Sequence, residues 1–215
     1  MIYILTGLAG TLLLALLFCE KKESTAGIFI TKPSLSFLFV LAAWMQSATE
    51  RTYGILILSG LVLSLIGDIC LIFSSRKMFL SGLIAFLAGH VFYTIAFFHE
   101  AAFGIWTGAG LLVVAAIGFV IRSWLYPFLG GMLGPVTAYI VVISIMVSGA
   151  ASVLGDCQLQ STGRWLVFPG AISFYLSDIF VARQQFVKDA YLNRAVGLPL
   201  YYLGQFLLAF SIGRL

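Results

Sequence analysis

The sequence predicts an all-α polytopic membrane helix bundle of about eight transmembrane helices, and three observations carry that prediction. Of 215 residues, 61% are hydrophobic and 9% charged, whereas a soluble domain carries about a quarter charged residues. The mean hydropathy is +1.08. Apolar stretches of about the 20-residue length that crosses a bilayer recur along the whole chain. No segment between them is long or polar enough to form a separate soluble domain, so residues 1–215 read as a single transmembrane domain.

The first stretch, 2–19, has no basic residue ahead of its apolar run and no small-residue cleavage site before Glu20-Lys21-Lys22, so it is expected to remain as a helix. The second, 33–49, opens at Pro33 and is the shortest. The third, 53–73, carries the run SLIGDICL with a carboxylate at Asp68. The fourth, 79–98, holds His90 and Tyr93, the fifth is 103–121, and the sixth, 131–151, contains Pro135 and Tyr139. The seventh, 164–183, carries Asp178, and the eighth, 192–213, is interrupted by Pro199, which should kink it and free backbone carbonyls. The longest connections, around 20–32 and 155–164, are about a dozen residues each.

Lys21, Lys22, Lys32, Arg76, Lys77, Arg122, Arg183, Lys188 and Arg194 fall in the loops after helices 1, 3, 5 and 7, against Arg51 and Arg164 in the others. Basic residues in short loops favour the cytoplasm, which puts both termini outside; a compact chain in which no organelle signal is read suggests a bacterial inner (plasma) membrane. The same asymmetry accounts for the net charge of +4. No basic run with interleaved aromatics suggests a nucleic-acid partner. Cys19, Cys70 and Cys157 have no paired spacing and read as small apolar residues.

Two parts of the chain resemble each other. Gly67-Asp68-Ile69 is followed by GLIAFLAGH, Gly82 to His90, and Ser177-Asp178-Ile179 by GLPLYYLGQ, Gly197 to Gln205. A weaker match pairs Pro33 with Pro135. This pattern suggests a four-plus-four duplication whose repeats are parallel, because helices 3 and 7 run the same way.

An Asp near a bilayer core costs several kcal/mol and persists where it faces a protein interior or a wet cavity. Counting about 1.5 Å per residue, Asp68 lies roughly 12 Å before Arg76, and Asp178 lies roughly 8 Å before Arg183, so both reach similar depths on one side. Two carboxylates sharing a low-dielectric pocket cannot easily both ionise, which makes one protonated and one ionised carboxyl the expected state, an acid and a base together. Each Asp taken alone could equally cap a helix or bond a neighbour. His90 can belong to the same cavity or bond a neighbouring helix, and His99 beside Glu100 reads as interfacial. Two His about 13 Å apart on one helix do not supply the three ligands of a catalytic zinc site, so no metal is expected. Lys32 is either a rim charge that snorkels to the headgroups or a phosphate contact. Tyr93, Tyr139, Tyr202 and Gln205 would add hydroxyl and amide groups of helices 4, 6 and 8 for substrate binding, although aromatics in a bundle usually serve packing. No serine-hydrolase elbow, P-loop or dinucleotide fingerprint occurs in a usable context.

The set KPS at Lys32, GD at Asp68, GLIAFLAGHVFY from Gly82 to Tyr93, GPVTAY from Gly134 to Tyr139, GAISFYLSD from Gly170 to Asp178, and YYLGQ ending at Gln205 resembles the lysoplasmalogenase (YhhN) family over helices 2 to 8. The resemblance implies an eight-helix membrane enzyme that hydrolyses the vinyl ether of lysoplasmalogens to a fatty aldehyde and a glycerophospho-alcohol. It also implies Asp68 and Asp178 as the catalytic carboxylates, His90 as the family's histidine, a lysophospholipid substrate among membrane lipids, and no cofactor. A small-solute or proton-coupled transporter is the alternative class, since transporters also bury carboxylates in duplicated bundles. A noncatalytic lipid-binding or assembly protein is a third.

Overall fold

Lipid offers no partner for backbone N–H and C=O groups, so a chain of this composition must satisfy them within helices or a closed barrel. The computed structural model describes residues 2–47 and 52–215 and takes the helical solution. Its helices are α1 (Ile2–Lys21), α2 (Thr25–Ser47), α3 (Thr52–Leu71), α4 (Arg76–Glu100), α5 (Ile105–Leu129), α6 (Leu133–Gly155), α7 (Ser161–Ala182) and α8 (Tyr191–Ser211). A 3₁₀ turn, Gly130–Met132, joins α5 to α6, and a π-helical turn, Arg183–Val187, extends α7. No strand occurs among the described residues. Six stretches of them are long and apolar enough to cross a membrane, one of which, Ile105–Gly155, runs through both α5 and α6. Helix α8 is not among the six, having spent its inward face on Asn193, Tyr201, Tyr202, Gln205 and Ser211, all buried.

Helices α2, α3, α4, α6, α7 and α8 pack each on the next, and α8 returns to α2, so the six form a ring. Helix α1 lies outside against α2 and α8, and α5 lies outside against α6. Gly130 makes the tight α5–α6 join with a left-handed φ of 49°. Ser75 caps α4 by accepting from the Met78 N–H at 3.2 Å.

The largest departure from the sequence-based expectation is α2. It starts at Thr25, not Pro33, leaving a connection of only 22–24 in which Glu23 takes φ 53°. Pro33 lies inside the helix, where its missing N–H leaves the Phe29 carbonyl without its usual donor. Helix α2 has 23 residues and is longer than α1 and α3, each of 20, so it is not the shortest. Lys32 is therefore two turns inside a helix and 8% exposed, not at a rim. Pro135 sits in the first turn of α6, so the Pro33–Pro135 match does not join equivalent positions. Arg122 likewise falls within α5 and donates to the Thr137 hydroxyl of α6 at 3.3 Å. The connection near 155–164 shrinks to 156–160. Arg51 and the end of the expected second span, 48–49, lie outside the described residues.

The α3–α4 and α7–α8 pairs meet backbone to backbone. A Cβ on Gly89 would lie 3.1 Å from the Gly60 carbonyl oxygen, and one on Gly204 would lie 2.8 Å from that of Gly170 and 3.0 Å from the Phe174 nitrogen. Tyr93 covers Gly60 and Leu208 covers Gly170. Asp68 follows Gly60 at the interval at which Asp178 follows Gly170, and His90 follows Gly89 as Gln205 follows Gly204.

These contacts make Gly204→Ala destabilising by about 1–3 kcal/mol through overpacking against backbone that cannot yield. Gly10→Ala, in α1 with nothing within 4 Å of the added carbon, should instead be neutral or stabilising by up to about 1 kcal/mol from helix propensity. Thermal unfolding of the two variants in detergent measures the contrast, and equal melting shifts would contradict it.

Candidate active site

Asp68 occupies the last turn of α3 and is 2% exposed. Gly67 beside it has no side chain, which admits the Phe86 ring of α4. Two hydroxyls donate to the same carboxylate oxygen at 2.6 Å, Ser36 from α2 and Tyr201 from α8. The Lys32 ammonium, one turn before Ser36, stands 3.5 Å from the other oxygen. Ser36 spends its proton on Asp68, so it accepts from the Tyr202 hydroxyl at 3.2 Å. Asp68 thus has an ammonium and two hydroxyls as partners, supplied by α2 and α8, which is the arrangement under which a charge can remain buried.

Asp178 occupies the last turn of α7 and is half-buried. Among the described residues its hydrogen-bond donor is the Tyr139 hydroxyl of α6, at 2.8 Å. Each Asp thus receives a hydroxyl from the helix preceding its own, but among the described residues no ion pair joins Asp178 to an ammonium.

Both carboxylates line one cavity of about 650 Å³. Its polar mouth is formed by Ser74, Ser75, Gln184, Gln185, Lys188, Asp189 and Arg194, at the end of the bundle where the basic residues gather. An apolar arm runs between Phe79 and Leu83 of α4, Ile121 and Leu125 of α5, Val136 and Ile140 of α6, and Phe186 of the π turn. The π turn closes with the Lys188 N–H on the Arg183 carbonyl at 2.9 Å. Buried Asn193 braces it, accepting from Arg183 at 2.6 Å and donating to Gln184 at 2.9 Å. Arg194 joins Asp189 to Glu20 of α1, each at 3.2 Å. Such π turns recur at functional sites, where they redirect side chains.

Of the residues singled out from the sequence, Lys32, Asp68, Tyr139 and Asp178 line the cavity, and Tyr93, Tyr202, His90 and Gln205 do not. Tyr202 stands behind Ser36, and the Tyr93 hydroxyl donates to Gln205 at 2.9 Å. His90 is fully buried against the rings of Phe174, 4.6 Å away, and Tyr139, 5.2 Å away. Neither ring nitrogen of His90 has a hydrogen-bond partner among the described residues. It therefore contacts Tyr139 from behind and not the cavity itself. His99 pairs with Glu100 at 2.9 Å at the far end of α4. The sequence reading missed Ser36 and Tyr201. Ser36 becomes legible once α2 is known to start at Thr25, because Lys32 and Ser36 then share a face; choosing Tyr201 over Tyr202 requires the rotation of α8.

The YhhN family model matches residues 27–212 of the chain. The human protein Lysoplasmalogenase TMEM86A is 31% identical over 179 residues, covering 81% of this chain and 72% of the relative. Its bovine counterpart of the same name is 29% identical over the same shares. No solved structure matches the chain.

Removing one member of the Lys32–Asp68 pair strands the other as a buried charge. Lys32→Met should therefore cost about 3–5 kcal/mol of stability, and the double change Lys32→Met/Asp68→Asn should recover most of it. A double-mutant cycle read by thermal unfolding checks this; additive losses would mean that the pair is not what the bundle rests on.

Proposed function

The chain belongs to the YhhN family, and from that premise we propose that it is an integral membrane enzyme hydrolysing the vinyl ether bond of lysoplasmalogens to a fatty aldehyde and a glycerophospho-alcohol. The observation that carries the reading is the pair of carboxylates, from α3 and α7, on one cavity with a charged mouth and an apolar arm. Relatives named lysoplasmalogenase support it.

The chemistry fits those groups. A vinyl ether is hydrolysed by protonation at its β carbon, which makes an oxocarbenium ion that water captures as a hemiacetal. The hemiacetal collapses to aldehyde and alcohol. One carboxylic acid and one carboxylate supply the proton, stabilise the cation and accept the proton of water. This division resembles that of inverting glycosidases, which also pass through oxocarbenium-like transition states. A single-chain lipid would keep its phosphate at the mouth near Lys188, since Lys32 is engaged with Asp68, and lay its chain in the apolar arm. Entry is from the cytoplasmic leaflet, because the mouth lies among the basic residues.

In the same reading the bundle is eight membrane helices in two parallel four-helix repeats. The matched glycine contacts of α3–α4 and α7–α8 support this, as do the C-terminal ends of α3 and α7 on one cavity and the outlying positions of α1 and α5.

Purified protein in detergent should release aldehyde from ethanolamine lysoplasmalogen and none from the saturated ether of equal chain length. Asp68→Asn and Asp178→Asn should each lower turnover by about 10²–10⁴-fold, the usual contribution of acid–base groups. Folded wild type that releases no aldehyde would overturn the assignment and turn attention to transport. One fully active Asp variant would overturn the pair.

A further inference from the structure

We infer that the two carboxylates have fixed and different roles: Asp178 is the proton donor to the vinyl ether, and Asp68, held as an ion by Lys32, Ser36 and Tyr201, is the counter-ion of the oxocarbenium and the base toward water. The assignment rests on the functional reading above and deepens it. It follows from the unequal surroundings of two carboxylates that line the same cavity. Asp68 has two hydroxyl donors at 2.6 Å and an ammonium at 3.5 Å, a set that matches a carboxylate with its charge in place. Asp178 has one phenol at 2.8 Å and, among the described residues, no ion-pair partner, leaving it an oxygen on which a proton can sit and from which it can be given.

The steps then balance. The π electrons of the vinyl ether take the proton of Asp178 at the β carbon, and an ether-oxygen lone pair completes the oxocarbenium. Water bonds to the α carbon and its proton passes to Asp68, giving the hemiacetal, an ionised Asp178 and a neutral Asp68. On collapse the hemiacetal hydroxyl gives its proton to Asp178, the carbonyl forms, the bond to the glycerol oxygen breaks, and that oxygen takes the proton from Asp68. Both carboxyls end as they began, and one water is consumed per bond cleaved. Lys32 and Ser36 act through Asp68 and are positioning residues.

The test separates charge from turnover by using a lysolipid with a protonated secondary amine in place of the vinyl ether, compared with the neutral saturated ether of the same length. Binding is followed by calorimetry in detergent. Wild type should prefer the cation by about tenfold or more, as an ion facing a fixed counter-charge does. Asp178→Asn should keep that preference. Asp68→Asn should lose it, and so should the charge-balanced Lys32→Met/Asp68→Asn, which serves where the single variant does not fold. Ser36→Ala should reduce it while Ser36→Thr restores it, a readout that a purely structural role would not move. Absence of the preference in wild type, its loss in Asp178→Asn, or its retention in both Asp68 variants would overturn the assignment. Aldehyde release is measured on the same wild-type preparation. Release without the expected binding pattern rejects the division of roles alone, whereas no release rejects the enzymatic reading itself.

Discussion

A carboxylate inside a lipid-embedded bundle must find its donors on the helices around it, and Asp68 finds them on both sides: an ammonium and a hydroxyl from α2, and a phenol from α8. Those two helices are where the ring of six closes on itself. The polar cluster therefore does what apolar contacts do poorly in a bilayer, where lipid tails are as good a partner as leucine: it specifies which helix meets which, and in what rotation. The position of Asp68 on the cavity follows from that closure. The ion pair is also the reason a charged residue sits two turns deep in α2, because Lys32 and Asp68 enter the bundle as a neutral unit where neither would enter alone.

What could be read from the sequence divides along physical lines. Helix class was legible because apolar runs of bilayer length leave few other structures available. Asp68 and Asp178 were legible because charge in lipid is costly enough to need a reason. The start of α2 was not, because Pro33 mimics a helix boundary and only tertiary packing keeps the chain helical on both sides of it. An apparent helix start at Pro33 places Lys32 at the rim, whether as a snorkelling charge or as a phosphate contact, whereas in α2 it is buried. Ser36 and Tyr201 are ordinary residues for a membrane helix, and their importance depends on rotations that side-chain type does not encode. His90, Tyr93, Tyr202 and Gln205 stand out in the sequence as polar groups in an apolar setting, but that property does not distinguish a residue facing the cavity from one packed behind it.

The two helix pairs that carry the carboxylates share a glycine framework and differ in what they present. Gly60 and Gly89 on one side and Gly170 and Gly204 on the other set the same close approach, while the polar shell around each Asp is built from unlike residues. Similar glycine contacts with unlike polar neighbours would let two carboxyls on one cavity differ in chemistry, the backbone supplying the placement and a few side chains the difference.

The glycine contacts also have a mechanical meaning. At Gly89 and Gly204 the neighbouring helix approaches through backbone atoms that no rotamer change can move, so α3 with α4, and α7 with α8, would act as two stiff plates. Compliance is left to the seams between plates, filled by longer side chains, and to the outlying α1 and α5. A lipid chain entering sideways and an aldehyde leaving the same way would therefore part the seams rather than flex the plates, and the two carboxylates would travel with their plates as rigid fixtures. Changes in bilayer thickness or lateral pressure would then act on access and leave the local surroundings of each acid unchanged.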